Sequence, residues 1–368
     1  MNQLATFSAD QLRLVRMCRG WSLDELGQKC LVSRQYLHQL ESGIKLPSSE
    51  FIAVLAAELG VKPEFFSMNA QNQVRVEQVH FRKQATTPLY IASQVVARGT
   101  MMDRLVEVVE RHLRLPAVNF PRVQVENFHD VERAAQNARA VWGLGSDAPI
   151  TNVIRVAENA GAVVTHFSGL SERVDALSMD RPRPIIVRGD AKASLARQRF
   201  DIAHEIGHLI MHQGLVTGDA VTERQAHRFA GAFMIPAKQF EIDFPLTSRI
   251  DWNALYRMKL KWKLSLRAII HRAFDLGLIS PSQYRSANIH LMKTGQSKVE
   301  RYDDELALEV PELMVAAMRQ ITSKPGRLKS VLDELGISSD MLITMIGDEW
   351  IDAGGASNVV PFSKPSAP

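Results

Sequence analysis

The stretch RFDIAHEIGHLIMH, residues 199–212, places two histidines four positions apart, with a glutamate directly after the first. On an α-helix, residues four apart lie on one face, about one turn from each other. His204 and His208 are therefore predicted to present two imidazoles to a single ion, with Glu205 beside them. Because H-E-x-x-H also occurs by chance, this pattern alone leaves a metal site and an ordinary buried helix both open.

A second segment supplies a candidate third ligand. TERQAHRFAGAFMIP, residues 222–236, has helical apolar periodicity and places Glu223 fifteen positions after His208. The connecting residues 213–219 contain two glycines, which lets the two helices fold against each other. A catalytic zinc ion takes three protein ligands and leaves its fourth position for water. His204, His208 and Glu223 are the predicted Zn²⁺ ligands, and Glu205 is the predicted general base that activates water against a peptide carbonyl.

Length and composition restrict the class of protein. A chain of 368 residues, 46% hydrophobic and 23% charged, is expected to form two or three globular domains. No apolar run approaches the roughly 20 residues that span a bilayer, and a secretory signal pattern is lacking, so no membrane partner is predicted. Two cysteines, Cys18 and Cys30, are too few for a disulfide framework, which predicts a cytoplasmic location. The net charge of +4 permits a nucleic-acid partner without requiring one.

The first 68 residues are predicted to form five short helices. Ser22 and Glu25 have the spacing of a capping box at the start of the second helix, and Ser33 caps the third. Only about three residues separate these two helices, which is typical of a helix-turn-helix unit. The segment has seven Lys or Arg and seven Asp or Glu, so DNA contact there depends on local placement rather than on a basic field.

The run WSLDELGQKCLVSRQYLHQLESGIKLPS, residues 21–48, resembles the Cro/CI-type helix-turn-helix domain of the XRE family. This resemblance covers nearly all of residues 8–68 and implies that the third helix enters the major groove of a double-stranded DNA operator. Tight binding by so small a module requires a homodimer. Arg and Gln suit base contact because both form bidentate hydrogen bonds. The alternative is a helical module for dimerisation or protein contact. The implied DNA-binding residues are Ser33, Arg34, Gln35 and Gln39 toward the groove, and Lys45 toward phosphate.

The rest of the chain is predicted to contain an α+β domain followed by further helices. Amphipathic helices are followed by β-branched runs at 162–167 and 183–189, with a further strand at 174–179 between them. The predicted fold is thus multidomain, mainly α with α+β. Its segments are a five-helix DNA-binding domain (1–68), a linker (69–75), a peptidase domain with a small β-sheet (76–290), a helical C-terminal region (291–352) and a disordered tail (353–368).

The two metal-site segments resemble the ImmA/IrrE family of zinc metallo-endopeptidases. The resemblance rests on RQRFDIAHEIGHLIMH (197–212) and ERQAHRFAGAFMIP (223–236), and it implies a zincin-like fold with the same three ligands and the same base. His227 stands where the family usually has Asn or Asp. It either orients a ligand histidine by a hydrogen bond or reaches the metal and fills the open position. His212, one turn beyond His208, either supports that ligand or caps the helix at the surface.

Together these patterns predict a DNA-binding transcriptional regulator with a zinc-dependent endopeptidase domain. The implied substrate is a repressor-type protein, which is cleaved to relieve repression; cleavage of this chain itself near residues 69–75 is a second hypothesis. Two alternatives stay open. The first is a transcription factor whose peptidase-like domain is a non-catalytic ligand or stress sensor, which metal analysis would distinguish. The second is a toxin–antitoxin component, which depends on genomic neighbours.

Overall fold

The architecture is taken from a computed structural model that describes residues 7–68, 73–80, 88–167, 176–189, 194–247 and 249–351. Residues 69–72 of the predicted linker and the tail predicted to be disordered, 353–368, lie outside the described residues. Within the described ranges, no helix has the length and apolar content needed to cross a membrane.

The N-terminal helices begin where the sequence supplies capping serines. Ser22 Oγ accepts a hydrogen bond from the Glu25 amide at 3.1 Å, and the Glu25 carboxylate accepts one from the Ser22 amide at 2.7 Å, so the predicted capping box is present. The fifth predicted helix is a short 3₁₀ helix, Pro63–Ser67. The four α-helices are α1 (Ala9–Arg19), α2 (Leu23–Cys30), α3 (Arg34–Glu41) and α4 (Ser49–Leu59).

The turn between α2 and α3 depends on close backbone contact. Leu31 ends α2 in the left-handed region, with φ of 56°. A Cβ atom at Gly27 would lie only 2.7 Å from the Val32 carbonyl oxygen, so a larger residue would push the turn away from α2. Glycine at this position therefore sets the angle at which α3 follows α2.

A small mixed sheet forms the middle layer of the second domain. Its strands are β1 (Val79–His80), β2 (Val163–His166), β3 (Leu177–Met179) and β4 (Ile185–Arg188). They lie in the order β1-β3-β4-β2, with β2 and β4 parallel and the other two pairs antiparallel. The three predicted strands are β2, β3 and β4. The edge strand β1 was not predicted, and it pairs His80 with Ser178.

Helices surround this sheet and make up most of the remaining structure. The longest is α5 (Leu89–His112), which crosses close to β3 because Gly99 has no side chain to meet Met179. The others are α6 (Phe128–Val141), α7 (Val153–Asn159), α8 (Leu195–Met211), α9 (Ala220–Met234), α10 (Ala237–Asp243), α11 (Trp252–Trp262), α12 (Leu266–Asp275), α13 (Pro281–Lys293), α14 (Leu313–Thr322), α15 (Arg327–Leu335) and α16 (Ser339–Ile346).

The buried apolar residues form two clusters, one on each face of the sheet. Alternating strand residues divide them: Ile185 and Val187 belong to the first cluster, and Val164 and Ile186 to the second. The first cluster combines α1–α4, α5 and α14–α16. The second cluster contains residues of α6–α13, and it therefore includes α8, the helix that carries the H-E-x-x-H segment.

The C-terminal helices pack against the N-terminal domain. Val61 and Ile337 form an antiparallel bridge, in which the Lys62 amide donates to the Gly336 carbonyl at 2.8 Å and the Ser338 amide donates to the Gly60 carbonyl at 3.0 Å. Ile337 is fully buried in the cluster shared with α1–α5. The two ends of the chain thus complete one core, so the helical C-terminal region packs as part of the molecule's N-terminal half.

Candidate metal centre and DNA-contacting face

Close packing of α8 against α9 positions the three predicted ligands. A Cβ atom at Gly207 would lie 2.9 Å from Cδ1 of Phe229, closer than real Cβ contacts come. Glycine on α8 therefore lets the two helices approach at the level of the histidines. The N-cap Asp219, whose carboxylate accepts from the Val221 and Thr222 amides, starts α9 so that Glu223 lies in its first turn.

The side chains of His204, His208 and Glu223 converge on one point. Their ligand atoms all lie within 4.8 Å of one another. The Nε2 atoms of the histidines are 3.1 Å apart, and the Glu223 oxygens lie 3.4 Å from His204 Nε2 and 3.3 Å from His208 Nε2. A tetrahedral zinc with bonds near 2.0–2.1 Å separates its ligand atoms by about 3.3 Å. The donor set and these spacings therefore fit a zinc ion.

Electrostatics favours the protonation states that bind a metal. Burial lowers the pKa of His208 to about 4, which keeps its imidazole neutral. Burial alone would raise the pKa of Glu223, but its interactions with the nearby imidazoles of His204 and His208 outweigh it and lower the pKa to about 2. Neutral histidine and ionised carboxylate are the forms that bind zinc. Oε1 of Glu223 is also buried without a hydrogen-bond partner, as expected of a ligand atom.

His212 is buried and contacts the ligand His208. Its Nε2 lies 2.9 Å from Oε1 of Gln225, and its Nδ1 lies 2.9 Å from Nδ1 of His208. The amide oxygen of Gln225 only accepts hydrogen bonds, so His212 Nε2 carries the proton and its Nδ1 accepts from His208. His208 then presents the lone pair of Nε2 toward Glu223 and His204. Of the two interpretations of His212, the structure thus places it beside the ligand rather than at the surface.

Glu205 receives a hydrogen bond from the central sheet. Ser178 on β3 donates its hydroxyl hydrogen to Oε2 of Glu205 at 2.7 Å, and both residues are buried. Ser178 was not among the predicted site residues. Its role depends on how α8 packs on β3, which no local pattern in the sequence reveals.

His80 on β1 also lies beside the centre, although no pattern in the sequence predicted its role. Its ring stacks on that of His208, with centroids 5.1 Å apart and planes 9° from parallel. Nδ1 of His80 lies 2.8 Å from the Thr217 hydroxyl, in the loop that joins α8 and α9. His80 is 1% exposed, and its burial lowers its pKa to about 3. A lone histidine five positions after the predicted linker, 69–75, gave no signal of this placement.

His227 lies to one side of the three ligands. Its ring centroid is 4.4 Å from that of His271 and 4.8 Å from that of Phe200, but 6.5 Å from that of His204. Among the described residues, the group able to hold a metal consists of His204, His208 and Glu223, without His227. His227 therefore packs between α8 and α12 at the edge of the site.

The predicted DNA-contacting residues lie around the N-terminal half of α3. Leu37 and Leu40 are fully buried and orient the helix, which leaves its other face outward. Ser33 Oγ caps α3 by accepting from the Tyr36 amide at 3.2 Å. Arg34 lies 3.7 Å from Asp24 in an exposed ion pair. The predicted set consists of the exposed Ser33, Arg34, Gln35 and Lys45 and the partly exposed Gln39.

Comparison with known families agrees with both halves of this description. Residues 12–66 match a helix-turn-helix family model, which spans α1–α4 and the 3₁₀ helix. Residues 157–274 match the peptidase M78 model, described as the IrrE N-terminal-like domain, which spans β2–β4 and the helices of the metal centre. No curated protein sequence matches the chain. His80 lies outside both matched ranges.

Proposed function

We propose that this chain, which joins an XRE-type helix-turn-helix domain to an ImmA/IrrE-like peptidase domain, is a transcriptional regulator that hydrolyses a peptide bond in a partner protein. The observation that carries the proposal is the convergence of His204, His208 and Glu223 beside Glu205. Three protein ligands with a carboxylate next to them are the arrangement of a catalytic rather than a structural zinc site.

Different residues around the site are proposed to carry out different parts of peptide hydrolysis. A zinc ion held by His204, His208 and Glu223 would polarise the peptide carbonyl and acidify the attacking water. Glu205 takes one proton from that water as the oxygen bonds to the carbonyl carbon, and it returns the proton to the amide nitrogen as the C–N bond breaks. Ser178 donates a hydrogen bond to Oε2 of Glu205 and so helps to orient this carboxylate.

The N-terminal domain provides the second activity, operator binding. Ser33, Arg34, Gln35 and Gln39 are proposed to face base edges in the major groove, and Lys45 is proposed to contact phosphate. One module of this size buries little DNA surface, so we propose that two copies bind two half-sites. This supports a repressor-type substrate, because a peptidase tethered to an operator stays near other proteins that bind the same DNA.

Replacing Glu205 by Gln tests the peptidase directly. The variant keeps the size and the hydrogen bond from Ser178 but cannot accept the proton, so we expect zinc content to persist and cleavage to fall at least about 100-fold. Wild type and variant are co-expressed with candidate repressors, and the fragments are identified by mass spectrometry. Glu241→Gln, an exposed site on α10, is the matched control. Equal cleavage by wild type and E205Q would exclude Glu205 from the reaction.

A non-catalytic sensor is the second candidate, and the burial of the site favours it. His204, Glu205 and His208 are each 4% exposed or less, so an extended peptide needs a rearrangement to reach them. A sensor would bind zinc or another ligand and alter operator affinity without cleaving any partner. Zinc analysis combined with operator binding, measured before and after chelation, separates this function from that of the enzyme.

A further inference from the structure

His80 contains a polar atom that packing alone does not explain. Its Nε2 is buried and has no hydrogen-bond partner. An unpaired buried nitrogen costs free energy, whereas a phenylalanine would make the same ring stack on His208 without that cost. The shape of the ring therefore does not explain why this residue is a histidine rather than a phenylalanine.

The direction of the His80 side chain follows from strand register. His80 on β1 pairs directly with Ser178 on β3 in an antiparallel ladder. Paired residues of such a ladder project from the same face of the sheet, about 4.5–5.5 Å apart at Cβ. The side chain of Ser178 reaches Glu205, and that of His80 reaches the ring of His208. Both side chains thus face the metal centre.

Thr217 determines which ring nitrogen of His80 remains without a hydrogen-bond partner. Its hydroxyl lies 2.8 Å from Nδ1, and it comes from the loop between the two helices that carry the ligands. When this hydroxyl donates to Nδ1, Nε2 carries the hydrogen of the neutral ring. His80 is then a fixed hydrogen-bond donor beside His208. Of the three predicted ligands, Glu223 has the most exposed side chain, at 19%, so the centre is closest to solvent on that side.

We propose that Nε2 of His80 donates a hydrogen bond to the oxygen of a ligand bound at the metal centre, either solvent or the carbonyl oxygen of a peptide. This rests on the proposed metal site but not on a particular substrate. An N–H positioned where negative charge develops on a carbonyl oxygen stabilises that charge. The region matched by the peptidase family model begins at residue 157, so this group comes from the segment that follows the DNA-binding domain.

Ligand binding to the cobalt-substituted protein tests the proposal without any peptide substrate. The full-length chain is loaded with Co²⁺, and its visible absorption is followed during titration with acetohydroxamic acid, whose oxygens bind the metal. We expect His80→Phe to bind Co²⁺ within about twofold of wild type but acetohydroxamate about 5- to 10-fold more weakly, the effect of one lost hydrogen bond. Thr217→Val is expected to weaken acetohydroxamate binding in the same direction.

His166→Phe provides the matched control, since His166 lies on β2 at the opposite edge of the sheet. Thermal unfolding of each variant verifies that it is folded. Unchanged acetohydroxamate affinity in H80F overturns the proposal, and so does loss of Co²⁺ from H80F, because His80 would then support the metal ligands. If the wild type binds no Co²⁺, both this proposal and the proposed function fail. If H80F shows the expected loss but no partner is cleaved, only the peptidase function fails.

Discussion

Gln225 determines the proton position on the predicted ligand His208 through one intervening residue, His212. Its amide oxygen fixes the tautomer of His212, and His212 in turn leaves Nε2 of His208 free for a metal. Groups that orient a ligand imidazole in this way contribute to metal affinity although they never touch the ion.

Replacing Gln225 by Ala removes the acceptor that orients His212. We expect zinc affinity to fall about 10- to 100-fold, because His212 then adopts either tautomer and His208 loses its fixed orientation. Competition with a fluorescent chelator measures the affinity. The exposed Arg224→Ala, on the adjacent position of α9, is the control. Equal affinities of Q225A and R224A would contradict the tautomer argument.

Residue spacing predicted the three side chains that converge but not the residues that surround them. His204 and His208 lie one helical turn apart, and Glu223 begins the next helix, so local periodicity was sufficient for these three. His80 and Ser178 meet the site only because β1 pairs with β3, and β3 packs on α8. That pairing joins residues about a hundred positions apart, and neither residue type indicates which residue it pairs with. Sequence reasoning therefore predicted the convergence of His204, His208 and Glu223, and it missed His80 and Ser178, which lie around them.

At the level of elements, the distance between α8 and α9 controls the geometry of the site. Gly207 and Phe229 set that distance, and it places Glu223 within 3.4 Å of both histidine Nε2 atoms. The sequence predicted that the two helices fold against each other, but only their contact shows that Gly207 makes room for Phe229.

Replacing Gly207 by Ala pushes α9 away from α8. We expect the free energy of unfolding to fall by about 1–3 kcal/mol, because the Phe229 ring has to shift within a packed core. Zinc affinity should fall as well, since Glu223 moves with α9. Gly231→Ala is the comparison, because its nearest atom is Cδ of the Arg272 side chain, at 3.2 Å. Chemical denaturation and zinc competition measure both quantities. A G207A protein with unchanged stability and zinc affinity would show that this contact does not set the geometry.

At the level of the whole molecule, carboxylates attach the C-terminal segment to the second domain. Glu158 at the end of α7 accepts hydrogen bonds from the Glu312 and Leu313 amides, each at 3.0 Å, where α14 begins. Glu309 in the same segment accepts from the Val153 amide at 2.7 Å. These contacts place α14–α16 where they complete the core of the N-terminal domain, an arrangement that segment-by-segment reasoning from the sequence did not predict.

Glu158 makes this attachment depend on pH. Burial raises its pKa from 4.5 to about 7, since desolvation exceeds the effect of the two backbone hydrogen bonds. The folded protein therefore binds the proton more tightly than the unfolded chain. The contribution of protonated Glu158 to stability is fully present below about pH 4.5 and is lost as pH rises through 7.

Glu158→Gln should remove this pH dependence. The amide oxygen accepts from the same backbone amides and carries no charge. We therefore expect the free energy of unfolding of the variant to exceed that of wild type by about 1–3 kcal/mol at pH 8, and to differ little from it at pH 5. Denaturant unfolding at both pH values measures the free energy of unfolding, with the exposed Glu241→Gln as control. A difference between wild type and E158Q that is equal at both pH values would contradict the assignment.

The bridge between Val61 and Ile337 has a consequence for synthesis on the ribosome. Residue 337 emerges on the order of tens of seconds after the N-terminal helices, at ordinary rates of translation. During that interval the N-terminal helices lack the apolar partners that α14–α16 supply. The nascent chain therefore carries a DNA-binding domain whose core is incomplete until residue 337 has emerged, so a transcript truncated before this point yields a less stable DNA-binding domain.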